Sequence, residues 1–525
     1  MDGVVPGLVT GLLRPEAYPH AVAAPIRLAE THISWVLLTG PYAYKIKKPL
    51  KLSFLDYSTV ELRREHCEAE VRLNRRYAPE IYLGVSGIAA TPAGLRVDTG
   101  ERPIEHAVRM TQFDPQEELH LLLAADRVRR DELAALGESL ARFHAGATRA
   151  DPAGACGVPD EVHRVTLDNF ADLRRPREAE RWQGALQRLE TWVNDEYARR
   201  SDLMAGRRSL GCVRECHGDL HCRNVVRWRG RLTPFDGIEF DPALRFVDVV
   251  SDVAFLTMDL AAHGRSDLRH AALQSWAESL GDYAGLPLLP YFEAYRALVR
   301  AKVAALRALQ PACDDAVRTS ALASVATYLD AAVARTHRPT PRLALTCGYS
   351  GSGKSWLARA LAVRIEALHL RSDVERKRLA GLEPLADSRS QPGSGIYTVE
   401  FNDRTYARLA DGARDALEAG MSVIVDAAFL RRGERARLLE VARAAGAPAS
   451  ILHCTAPFPL MRQRVERRAL EGGDPSEAGL AVLERQPGDW EGFGPSEQAQ
   501  VLQVETASDD AVERVAAAWR LPGRR

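Results

Sequence analysis

Two short clusters in this 525-residue chain combine residue types and spacings suited to handling phosphate groups. Gly348-Tyr349-Ser350-Gly351-Ser352-Gly353-Lys354-Ser355 fills every fixed position of G-x-x-x-x-G-K-[ST]. Glycines expose backbone N–H groups, and a helix beginning at the lysine adds its own, so the stretch makes an anion cradle. Lys354 is expected to reach terminal phosphates and Ser355 to ligate Mg²⁺. An ordinary Gly/Ser turn lacks the flanks seen here: apolar Leu343–Cys347 before, and the helical pattern "KSWLARALAVRIEAL" after. The second cluster is His217-Gly218-Asp219-Leu220-His221-Cys222-Arg223-Asn224, H-G-D-x-H-x-x-N, with Asp236 twelve residues beyond Asn224 after a short β pattern.

Further residues belong with the glycine loop. In "LHLRSDVERKRLAG" (368–381), Asp373 follows a short apolar segment. A carboxylate there can take a proton from a substrate hydroxyl, or it can cap the helix that follows; both readings stand. Asp426 ends the apolar run Ser422–Val425, where a carboxylate for a Mg²⁺-bound water belongs. Arg462, Arg464, Arg467 and Arg468 crowd one helical stretch. Such a run is commonly a solvated face, which suits Arg462 and Arg467 best.

The H-G-D-L-H-C-R-N stretch resembles the catalytic loop of aminoglycoside-phosphotransferase-like kinases, relatives of protein kinases. That resemblance implies that Asp219 faces the acceptor hydroxyl as base and that Asn224 turns back to hold Mg²⁺. It also implies that Asp236 supplies the second metal carboxylate. The same pattern requires a lysine on a strand and a glutamate on the next helix. "AYKIKKPL" offers Lys45 and Lys47 on one strand face, and "CEAEVRLNRR" offers Glu68 and Glu70; the family position favours Lys45 with Glu70. "LLTGPYAYK" has Gly40 alone where protein kinases carry a full glycine set. Asp248 and Asp252 match positions that brace the catalytic loop in the family.

The stretch from about 341 onward resembles P-loop kinases of small hydroxyl compounds, such as gluconate kinases, polynucleotide 5′-kinases and zeta-type toxins. The arginine-rich helix then corresponds to their lid, with Arg464 and Arg468 on the phosphates. The whole chain resembles predicted bacterial two-domain proteins that join these modules. The implied activity is bifunctional phosphoryl transfer from ATP, with Mg²⁺, to hydroxyl groups of small molecules at two separate sites. Two alternatives remain: one domain acting as a nucleotide switch, or the P-loop half acting on nucleic-acid 5′-ends.

The elements that must position these residues read as two domains, 1–338 and 339–525, split at a Pro-bracketed polar stretch (334–342). The first is α+β and bilobal. Strands flank Gly40-Pro41, a helix spans 59–79 with Leu62, Cys67, Val71 and Leu73 facing inward, a strand spans 106–113, and helices follow near 131–147 and 176–200. A β segment at 225–236 turns at Gly230, and an Ala-rich helical region covers 291–335. The second alternates strands (342–347, 421–429, 449–456) with helices (354–367, 400–419, 432–445, 458–471). That order predicts a parallel, doubly wound α/β sheet.

Lys+Arg and Asp+Glu both total 70, which argues against a chain-wide electrostatic grip on nucleic acid. Eight cysteines with no C-x-x-C pair fit reduced thiols in a cytoplasmic protein. Cys212, Cys216 and Cys222 near His217 and His221 match no zinc spacing. No apolar run is long enough for a bilayer, and the N-terminus lacks a basic n-region. Composition is silent on oligomeric state.

Overall fold

The computed structural model describes residues 4–520, apart from 53–54, 311–313, 338–339 and 392. The expected 338/339 boundary therefore lies outside the described residues. Two compact units interleave along the chain: Met1–Val165 with Ser201–Asp259, and Thr166–Arg200 with Leu260–Arg525.

In the first unit, β1 (Arg27–Glu30), β2 (Ser34–Leu38), β3 (Tyr42–Lys47), β6 (Tyr82–Thr91), β7 (Gly94–Val97) and β8 (Glu105–Thr111) form an antiparallel sheet in the order β1-β2-β3-β8-β6-β7. A small hairpin, β4 (Lys51–Leu52) and β5 (Leu55–Asp56), lies in the chain between β3 and the next helix. Alternation along β3 separates two faces. Tyr44 and Ile46 enter a core with Leu37, Ile88 and Ala107. Ala43, and by the same period Lys45 and Lys47, faces the helix Val60–Asn74, whose Cys67 and Val71 share a core with Val108.

That helix starts at Thr59, whose side chain accepts from Leu62 N at 3.2 Å. Its inward series is Arg63, Cys67, Glu70, Val71 and Asn74, together with Leu73. Leu62 was expected inside but is half-buried. Arg63 takes the inward place because it finds a bidentate carboxylate in Glu105, at 2.7–3.1 Å. Beyond the sheet, β9 (Val213–Glu215) pairs with β12 (Phe246–Asp248), and β10 (Val225–Trp228) with β11 (Arg231–Pro234). The loop 216–224 runs between β9 and β10.

In the second unit, β13 (Leu343–Cys347), β14 (Leu368–Arg371), β15 (Val423–Asp426), β16 (Ala449–Thr455) and β17 (Val501–Glu505) form an all-parallel sheet, ordered β14-β15-β13-β16-β17. β13 is buried throughout, as a central parallel strand must be. β14 is an edge strand, and the helix Ser266–Leu280 lies along it. His270 Nε2 lies 2.9 Å from Ala367 O. The Gln274 carboxamide accepts from His369 N (2.8 Å) and donates to His369 O (3.0 Å). Among the described residues, no helix is long and apolar enough to cross a membrane.

Candidate active sites

The first site gathers where β3, the helix Val60–Asn74 and the loop after β11 meet. Lys45 Nζ donates to Glu70 Oε1 at 2.8 Å and to Asp236 Oδ1 at 2.5 Å. Burial alone would depress the Lys45 pKa, but Asp236 and Glu70 outweigh it and hold it well above the ordinary lysine value. Glu70 is shared: its Oε2 accepts from Lys47 Nζ at 2.8 Å. Against the cost of burial, the two ammonium groups bring the Glu70 pKa down to about 2. Lys47 is fully buried and also bonds Glu239 and Tyr57 OH. Lys45 thus points at Asp236, while Lys47 ties β3 to the Asp236–Glu239 segment from behind. Glu68 lies elsewhere, paired with Arg64 on the exposed helix face.

Asp236 has φ +61°, a left-handed conformation unusual outside glycine. Two side chains hold it there. Tyr82 OH accepts from Asp236 N at 2.9 Å, and Asn74 Oδ1 accepts from Gly237 N at 2.7 Å.

Asp219 and Asn224 are in contact: Asn224 Nδ2 donates to Asp219 Oδ2 and to Asp219 O, both at 3.0 Å. His221 Nε2 lies 3.3 Å from the same carboxylate. His217 accepts at Nδ1 from Asp219 N (3.3 Å), which leaves Nε2 as donor to Phe235 O (2.9 Å). Burial lowers its pKa, favouring the neutral ring that this pattern needs. Gly218 has φ +83°, and a Cβ there would meet Leu244 O at 2.7 Å, so glycine is required. Buried Asp252 braces the loop, accepting from Gly218 N (2.8 Å), His217 N (3.2 Å) and His144 Nε2 (3.0 Å). Burial opposes its ionisation, but the His144 bond and the loop amides bring its pKa to about 2. Asp248 instead pairs with Arg207 at 2.8–2.9 Å. His217 and His221 both make their contacts within or beside the loop.

The second site lies at the C-terminal ends of the parallel strands. Gly348, Gly351 and Gly353 all have positive φ, and a Cβ at Gly351 would clash with Met461 O. Ser350 N donates to Gln486 Oε1 at 2.7 Å, and the buried Ser352 Oγ has no hydrogen-bond partner. Lys354 Nζ donates to Tyr349 O at 2.7 Å; burial lowers its pKa, partly opposed by Asp426. Asp426 is buried beside His369 Nε2 and Thr346 Oγ1, each at 3.3 Å. Despite burial, the contact with His369 and the charge of Arg371 hold its pKa far below the ordinary carboxylate range.

A cavity of about 770 Å³ brings Lys354, Ser355, Asp373, Asp426, Arg464 and Arg468 together. Asp373 sits in the first turn of the helix Ser372–Leu379, past the cap position, which Arg371 takes. Arg464 donates to Gly351 O (3.3 Å) and Thr506 Oγ1 (3.1 Å), and Arg468 to Ala478 O (2.5 Å). Arg462 and Arg467 are exposed and pair with Glu466 and Glu471.

Sequence reasoning missed Glu239, Tyr57, Asn74 and Tyr82 in the first site, and Gln486 and His369 in the second. One signal was available: a second lysine on the Lys45 face needs a second buried carboxylate, and Glu239 stands three residues after Asp236.

A family model described as an AAA domain matches residues 343–491. Uncharacterized protein Rv2004c of Mycobacterium tuberculosis is 32% identical over 479 residues, spanning 91% of this chain and 93% of its own. Among solved structures, amicoumacin kinase hAmiN, in complex with AMP-PNP, Ca²⁺ and Ami, aligns with TM-score 0.37 and 14% identity, covering 63% of this chain and 94% of that one. A sugar kinase from Janibacter sp. HTCC2649 aligns with TM-score 0.27 and 22% identity, covering 34% and 93%. The chain belongs to the same family as the mycobacterial Rv2004c.

Proposed function

We propose that this protein is a bifunctional, ATP- and Mg²⁺-dependent phosphotransferase with two ATP sites, each acting on the hydroxyl group of a small molecule, and that motif-bearing segments 1–338 and 339–525 each carry one activity. The carrying observation is the convergence of Lys45, Glu70 and Asp236, with Asn224 held against Asp219, from stretches far apart in sequence. Both sites suit the cofactor. Asn224 and Asp236 offer hard oxygen ligands for Mg²⁺, and the Gly351 cradle tolerates no side chain. Bound Mg-ATP supplies the transferable phosphoryl group and neutralises its charge.

In the first site Asp219 orients the acceptor hydroxyl and takes its proton, while His217 and Asp252 keep the loop in shape. Lys45, fixed by Glu70, holds the phosphates. In the second site Lys354, Arg464 and Arg468 hold phosphate oxygens, Ser355 and Asp426 hold the metal and its water, and Asp373 takes the acceptor proton.

The test is a pair of substitutions read by ATP turnover and ATP binding. Asp219→Asn is expected to cut the first site's kcat by orders of magnitude with ATP affinity nearly unchanged, because the lost interaction matters mainly in the transition state. Asp236→Asn is expected to weaken metal-dependent ATP binding as well. Near-normal transfer in Asp219→Asn alongside loss in Asp236→Asn removes Asp219 from the role of base.

A further inference from the structure

One peptide of the glycine loop is held at both of its polar groups. Its carbonyl, Tyr349 O, accepts from Lys354 Nζ at 2.7 Å, and its amide, Ser350 N, donates to Gln486 Oε1 at 2.7 Å. Gln486 sits on the helix Leu480–Asp489, which Leu483 anchors in a core with Met461, Val465 and Tyr349. Gln486 is 7% exposed and lines the 770 Å³ cavity. A carboxamide has an acceptor end and a donor end, and the Ser350 N–H fixes which is which. Oε1 turns to the loop, so Nε2 is the end left to the cavity. Nε2 makes no hydrogen bond among the described residues.

A side chain that only held the loop would need the acceptor alone. Gln486 carries a donor as well, and a nearly buried donor costs free energy until an acceptor reaches it. Its place beside the loop says which acceptor that is. Lys354, which marks the terminal phosphates, bonds the other polar group of the same peptide. The inner phosphates belong with the amides at the helix start, from Gly353 to Ser355. The carboxamide therefore relays the loop's hydrogen-bond polarity: the Ser350 N–H donates into it, and its own NH₂ group presents a donor at the terminal-phosphate end of the cavity. A donor meeting an anionic phosphate oxygen there forms a charge-assisted bond. Resting on the reading of this site as a P-loop kinase, we infer that Gln486 Nε2 donates to the terminal phosphate of the bound triphosphate, so that this residue makes the site distinguish ATP from ADP.

The experiment titrates the full chain calorimetrically with AMP-PNP and with ADP, each with Mg²⁺. Binding at the second site is the component that Lys354→Ala removes, and the readout is the ratio of the two affinities for that component. Gln486→Glu keeps an acceptor for Ser350 N and replaces the donor by a negative charge. It should lower the ratio of AMP-PNP to ADP affinity about tenfold or more, the effect of losing one charge-assisted bond. ADP ends short of the carboxamide, and its own affinity should change by less than about threefold. Gln486→Ala removes both ends. It should weaken both nucleotides, because the loop loses its hold, and AMP-PNP more than ADP; it carries the test if the glutamate variant melts early. A wild-type ratio in either folded variant, which means equal loss of AMP-PNP and ADP, makes Gln486 a brace of the loop alone and overturns the inference. Isotherms that Lys354→Ala leaves unchanged overturn the P-loop reading, and the inference with it.

Discussion

Replacing Lys47 by Met tests the division of labour between the two lysines of β3. The Lys47 side chain is 0% exposed and that of its partner Glu239 is 4% exposed. The substitution leaves Glu239 buried without its cation, while Glu70 keeps Lys45. Breaking a buried pair from one side costs about 3–5 kcal/mol. With a urea dependence of about 2 kcal/mol/M, the unfolding midpoint of the first unit should fall by about 2 M. Lys45→Met is a different perturbation. Its partner Asp236 is 42% exposed, so water replaces the lost contact, and Glu70 retains Lys47. That variant should lose about 1–2 kcal/mol or less but most of the first site's ATP turnover. The assay is urea unfolding followed by fluorescence, read transition by transition because a chain of several units is not two-state, alongside ADP release. If Lys47→Met unfolds like wild type and loses turnover while Lys45→Met keeps it, the two roles are reversed.

Three further outcomes are expected. Lys354→Ala should abolish nucleotide binding at the second site, measured by calorimetry, and leave turnover at the first intact; equal loss of both means that the sites are coupled. Gly218→Ala should lose at least about 1 kcal/mol of stability and most first-site activity, since φ is positive and the new Cβ meets Leu244 O at 2.7 Å; a wild-type melt and rate refute the loop geometry. Asp252 has a folded pKa of about 2, below the ordinary 3.8, so its contribution is complete above 3.8 and disappears as pH falls through about 2. The stability gap between wild type and Asp252→Asn should therefore shrink by about 2 kcal/mol between pH 4 and pH 2, and a constant gap contradicts it.

Motif-bearing segments were legible because phosphate chemistry fixes residue type and spacing together, as in residues 348–355 and 217–224. The strands β13 and β16 were legible as apolar runs. β14 was not: four residues interrupted by His369 and Arg371 carry no clear period, and the strand is buried because of what packs on it. β17 was missed for the opposite reason, since an edge strand with Val504 as its one fully buried residue reads like a loop. The Lys45 and Lys47 alternatives could not be ranked by burial, since both face the helix; Asp236, nearly two hundred residues away, distinguishes them. Behind the first site, Glu239 was signalled only by the second lysine on that strand face, and nothing in type or spacing marked Tyr57.

The seal along β14 bears on how the P-loop module can be handled in isolation. Within a strand, one residue's N–H and C=O point to the same side, so Ala367 and His369 both turn outward from the sheet. His270 and Gln274, one helical turn apart, meet them in step. A fragment beginning at 339 would leave out that helix and present β14 as an open strand edge. Open edges recruit other strands, including those of identical molecules. Such a fragment should self-associate through β14 in a concentration-dependent way, and one that begins before Ser266 should not.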